Sequence, residues 1–116
     1  MTIKRLHVGP RLSEAAIHGG VVYLAGQVAE DPSQDITGQT QQVLAAVDRL
    51  LTEADSDKSC ILQATIYLRT MADFPGMNAV WDKWVVHGHT PPRATVEASL
   101  AKPEYLVEIK VVAAQR

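Results

Sequence analysis

Apolar residues recur with period two along some stretches of the chain and with helical period along others, and this pattern sets the expected elements. Thr2 to His7 predicts a short first strand, followed by a turn at Gly9-Pro10. Glu14 to His18 and Val21 to Ala25 flank Gly19-Gly20 as the arms of a hairpin. Gly26-Gln27 closes the third strand, and Glu30 to Gly38 is a polar loop. Val43, Val47, Leu50, Leu51 and Ala54 then repeat at helical spacing, predicting a helix from about Thr37 to Ala54 capped by Asp35 or Thr37. Asp55-Ser56-Asp57-Lys58 breaks it, and Ile61 to Leu68 is rich in strand formers. A second helix starts near Asp73, whose carboxylate is placed to cap it, with Pro75 tolerated in the first turn. Met77, Val80, Trp81, Trp84 and Val85 mark its buried side, and Val86 to Thr90 is a loop.

Two further strands follow. Ala94, Val96, Ala98 and Leu100 alternate with Arg93, Thr95, Glu97 and Ser99. After a short turn at Ala101 to Glu104, the residues Tyr105, Val107, Ile109, Val111 and Ala113 form an apolar face that Glu108 and Lys110 interrupt on the other side. Pairing these strands as an antiparallel hairpin with coincident apolar faces puts Arg93, Thr95, Glu108 and Lys110 together on the opposite face. An arginine fork beside a hydroxyl and a carboxylate suits a small carboxylated ligand; a solvated sheet face is the plainer alternative.

The order β-β-β-α-β-α-β-β, with two amphipathic helices covering one face of a mixed sheet, predicts a two-layer α+β sandwich in a single domain over residues 1–116. The sheet's other face is mixed in character, which suits either a subunit contact or a solvated monomer.

Composition narrows the function classes. Hydrophobic residues at 47% and charged residues at 21% mark a globular chain. The formal net charge of −2 gives no electrostatic support for nucleic acid or an acidic membrane. No apolar run reaches the roughly 20 residues that span a bilayer, and the first residues carry no secretory-signal pattern, so a cytoplasmic protein is expected. The single cysteine, Cys60, excludes an intrachain disulfide and a cysteine-rich metal site, and reads as a small buried hydrophobe. His87 and His89 lack further ligands at suitable spacing, so no metal site is expected.

Tyr23-Leu24-Ala25-Gly26-Gln27, Pro92-Arg93-Ala94-Thr95-Val96 and Val107-Glu108-Ile109 together resemble the Rid family, also called YjgF/RidA, over almost the whole chain. The stretch from Ser59 to Glu108 is most similar to its YoaB-type branch. The resemblance implies a chorismate-mutase-like fold and a homotrimer with sheets facing inward and ligand clefts between subunits. It implies hydrolysis of enamine and imine acids, a 2-iminoacid becoming a 2-oxoacid plus ammonia, catalysed by a hydrolase acting on C–N bonds without cofactor or metal. By the same resemblance Arg93 clamps the substrate carboxylate and Glu108 manages the attacking water, while Gly26 lets the backbone approach the ligand. Thr95 stands where the deaminases often have cysteine, and Arg11 follows Gly9-Pro10 where they carry tyrosine. Both are candidate lining residues. These departures keep a second reading in view, a non-catalytic module that senses 2-oxoacids or related small carboxylates. RNA cleavage, ascribed to some relatives, is disfavoured by the net charge and by the lack of an aromatic-basic platform.

Overall fold

The computed structural model describes residues 2–116. Its strands are β1 (Lys4–Val8), β2 (Ser13–His18), β3 (Val21–Leu24), β4 (Gln27–Val28), β5 (Ile61–Leu68), β6 (Arg93–Glu97) and β7 (Val107–Ala114). Helices α1 (Ile36–Glu53) and α2 (Phe74–Trp84) cover one face of the seven-stranded mixed sheet, the α+β arrangement expected. No helix among the described residues is long and apolar enough to cross a membrane.

The first hairpin follows from its turn. Gly19 and Gly20 have φ of 59° and 78°, the left-handed conformations that a two-residue hairpin turn needs and that glycine adopts without a Cβ penalty. Helix α1 starts where Asp35 accepts a hydrogen bond from the Gly38 amide (2.9 Å), so Asp35 and not Thr37 is the cap. Val43, Leu44, Val47 and Leu51 on its inner face meet Ile66, Leu68, Ile109 and Val111 in one buried cluster. Asp73 does not cap α2 with its side chain; a 3₁₀ turn over Met71–Asp73 leads in, held by Thr70 Oγ1 accepting from the Ala72 amide. The short β4 was not expected, because a two-residue strand carries no periodicity. Cys60 is half-buried.

The terminal hairpin does not form. The sheet order is β1-β2-β3-β7-β5-β6, so β5 lies between β6 and β7. Strand β6 runs parallel to β5 after the α2 crossover, and β7 pairs antiparallel with β5 and β3. The strand that was expected to reach Leu100 stops at Glu97, and Ala98 to Leu106 bridge over the end of β5 to reach β7. Two side chains secure this bridge. Arg69 donates to the carbonyls of Tyr105 (2.8 Å) and Lys102 (2.6 Å). Gln39, fully buried on α1, donates to the carbonyls of Pro32, Gln34 and Glu104 and accepts from the Leu106 amide, each at 3.0 Å.

The face assignment of β6 is also reversed. Ala64 pairs with Arg93 and Ile66 with Thr95, and Ala64 and Ile66 are buried under the helices. Arg93 and Thr95 therefore point to the helix side, while Ala94 and Val96 point to the uncovered side. Alternation alone cannot say which set faces inward at an edge strand, and here the rings of α2 attract the guanidinium.

Candidate functional site

Arg93 sits at the start of β6 beneath α2, half-buried, with its guanidinium carbon 5.2 Å from the Trp81 ring centre and 5.9 Å from that of Phe74. Aromatic faces stabilise a cation without neutralising it. Burial pushes the guanidinium below its ordinary pKa, against the opposing pull of Asp82. Among the described residues Arg93 forms no ion pair. A half-buried cation with no carboxylate of its own can hold an anion, and its planar fork suits a carboxylate.

The surroundings strengthen that assignment. Among the described residues, the buried side-chain oxygens without a hydrogen-bond partner are Thr95 Oγ1 and Asn78 Oδ1. Thr95 lies two residues beyond Arg93 on the same face of β6. Asn78 follows Phe74 by four positions and precedes Trp81 by three, which places it on the helix face that meets Arg93. Buried polar atoms are nearly always paired, so two unpaired oxygens on the faces that meet this cation leave hydrogen-bonding capacity that a small ligand can use. Asn78 and the aromatic pair were not singled out from sequence as site residues. Their signal was present but faint: an amide with poor helix propensity amid the apolar face of α2.

Glu108 lies elsewhere. It pairs with Tyr67 on β5 and with Val28 on β4. Because Ile66 faces the helices, Tyr67 and Glu108 face the uncovered side. Gly26 lies directly against it: a Cβ built on Gly26 falls 2.9 Å from Glu108 Cδ and closer still to one carboxylate oxygen. Gly26 thus makes the room in which the carboxylate sits. Replacing it with alanine is expected to swing the carboxylate aside at a stability cost of about 1 kcal/mol or less, since the displaced group is the end of a flexible side chain. The urea midpoint is expected to stay nearly unchanged.

The predicted stripe is therefore split. Gly26 and Glu108 meet on the uncovered face, Arg93 and Thr95 meet on the helix side, and β5 separates the two sets. Lys110 shares Glu108's face, and Arg11 is exposed in the β1–β2 turn at the far edge of the sheet from β6. Within one chain Arg11 joins neither set.

The comparisons with known proteins agree with the fold. The sequence profile of the family described as Endoribonuclease L-PSP matches residues 2–115. A RutC family protein of Haemophilus ducreyi is 51% identical over 97% of this chain and 96% of its own length. The RutC family protein YoaB of Escherichia coli K12 is 47% identical over 98% of this chain and 99% of its own length. The crystal structure of NMB1025 from Neisseria meningitidis, a member of the YjgF protein family, superposes with a TM-score of 0.98 at 49% identity, covering 100% of this chain and 97% of that one. The expected family is thus the observed one: the chain belongs to the Endoribonuclease L-PSP family, the group of RutC, YjgF and Rid proteins.

Proposed function

We propose that the protein hydrolyses reactive enamine and imine acids, converting a 2-iminoacid and water to a 2-oxoacid and ammonia in a cleft shared between copies of the chain. The observation that carries this reading is the unpaired, half-buried Arg93 with two orphaned oxygens beside it. The guanidinium holds the substrate carboxylate and fixes the imine carbon in place. A water bound at Glu108 attacks that carbon, its proton passing to the carboxylate. The resulting tetrahedral carbinolamine receives a proton on nitrogen, the C–N bond breaks, ammonia leaves, and the hydroxyl proton is lost as the C=O forms. Atoms and charge balance with no external oxidant or reductant.

Two copies are needed because Arg93 and Glu108 lie on opposite faces of one sheet. The uncovered face also favours association. Tyr23 is 50% exposed and Val96 41% exposed there, alongside Val112, Ala114 and Ala94. Such a face is suited to burial against other copies, and an inward-facing homotrimer would put Glu108 and Gly26 of one copy within reach of Arg93 and Thr95 of the next.

Addition of the protein to an amino-acid-eliminating enzyme that releases 2-iminoacid is expected to speed the appearance of 2-oxoacid across several side chains. No acceleration, combined with calorimetric binding of 2-oxoacids, would select the sensor reading instead, which Thr95 and Arg11 in place of cysteine and tyrosine favour. RNA cleavage, which the family's endoribonuclease name suggests, is the less favoured reading, since a net charge of −2 supplies little attraction for RNA.

A further inference from the structure

On the helix layer, away from both Arg93 and Glu108, α1 and α2 enclose an open groove of about 540 Å³. This lies within the roughly 300–1,000 Å³ typical of small-molecule sites. Leu44 and Val80 supply apolar walls, and Trp84 offers a half-buried indole. The indole is pinned, because its Nε1–H donates to Asp48 Oδ2 at 2.9 Å. A fixed aromatic ring costs little ordering when a flat ligand packs against it.

The charges around this floor are unbalanced. Lys58 and Lys83 line the groove, and neither forms an ion pair among the described residues. The Lys58 ammonium lies 5.3 Å above the Trp84 ring centre, held by the ring and not by a carboxylate. Asp48 is the single acidic side chain of the lining, and one of its oxygens is already taken by the indole. Two free ammonium groups over an apolar, aromatic floor call for a ligand that is flat and anionic at once.

We propose that the α1–α2 groove is a second ligand site, for a small aromatic carboxylate whose ring packs on Trp84 and whose carboxylate is held by Lys58 and Lys83. The site is independent of the imine-hydrolysis reading. It is also physically connected to the clamp, since Trp84 and Trp81 lie 5.3 Å apart in a tilted stack and Trp81 carries Arg93 on its ring.

The chain has two tryptophans, so its indole N–H groups give two resonances, Trp84 reporting the groove and Trp81 the clamp. Benzoate, titrated into the ¹⁵N-labelled protein, is expected to shift the Trp84 indole resonance saturably. Benzamide, flat but uncharged, is expected to bind about tenfold or more weakly, and so is benzoate to the Lys58→Ala/Lys83→Ala variant, as loss of charge-assisted hydrogen bonds requires. Arg93→Ala is expected to leave the Trp84 response in place. The proposal is overturned by a response that never saturates, by equal affinity for benzamide, by unchanged affinity in the lysine variant, or by a shift confined to Trp81 and lost in Arg93→Ala.

Discussion

Arg93→Ala is expected to lower kcat/KM for imine hydrolysis by about 10²–10³-fold while the protein stays folded. The guanidinium is the desolvated cation beneath α2, with aromatic rings on one side and no carboxylate partner. Removing it leaves the substrate carboxylate without its counter-ion beside the rings of Phe74 and Trp81, so both binding and alignment of the imine carbon are lost. Arg93→Lys keeps the charge but not the fork, and a point charge on a flexible stem is expected to remain about tenfold or more below wild type. The fold loses little in either variant. Each ring contact is worth about 0.5–1 kcal/mol, and relief of the buried charge offsets part of that. The coupled 2-oxoacid assay and urea unfolding, run on the same preparations, read the two effects separately. Activity of Arg93→Ala equal to wild type across several imines would remove the clamp from the mechanism.

The largest expected loss of stability belongs to Gln39→Leu, at about 3 kcal/mol in urea unfolding at fixed protein concentration. The side chain is 0% exposed and its amide ties two separate stretches of chain to α1. It serves the carbonyls of Pro32 and Gln34 before α1, the carbonyl of Glu104 in the bridge, and the amide of Leu106 just ahead of β7. Leucine fills nearly the same volume but takes the partner from those backbone groups, at about 1–3 kcal/mol for each that water cannot reach. The result also bears on the site, because Leu106 is two residues from Glu108. A loss below about 0.5 kcal/mol would mean that solvent reaches these groups when the amide is gone.

Much of the fold was legible in the sequence, for identifiable reasons. The helices and the strand Ile61–Leu68 follow from long, strongly periodic runs, and the Gly19-Gly20 turn fixes the first hairpin by backbone chemistry alone. What failed was non-local. Nothing in the alternation of Arg93 to Leu100 shows that β5 inserts between it and β7, or that an edge strand will turn Arg93 and Thr95 toward the rings of α2. Period two assigns residues to two faces without saying which is inside. Arg93, on the face that carries the unpaired Thr95 oxygen, and Glu108, against Gly26, were both visible as polar interruptions of apolar strands. Asn78 escaped because its meaning depends on the strand beneath it.

The separation of Arg93 from Glu108 makes a cleft shared between copies directly testable. Arg93→Ala and Glu108→Ala proteins are unfolded together and refolded as an equal mixture, and imine hydrolysis is compared with each variant refolded alone. If every site takes Arg93 from one copy and Glu108 from its neighbour, random assembly restores about one quarter of the sites, and with them about one quarter of wild-type activity. Activity no higher than that of the separate variants would contradict the shared cleft.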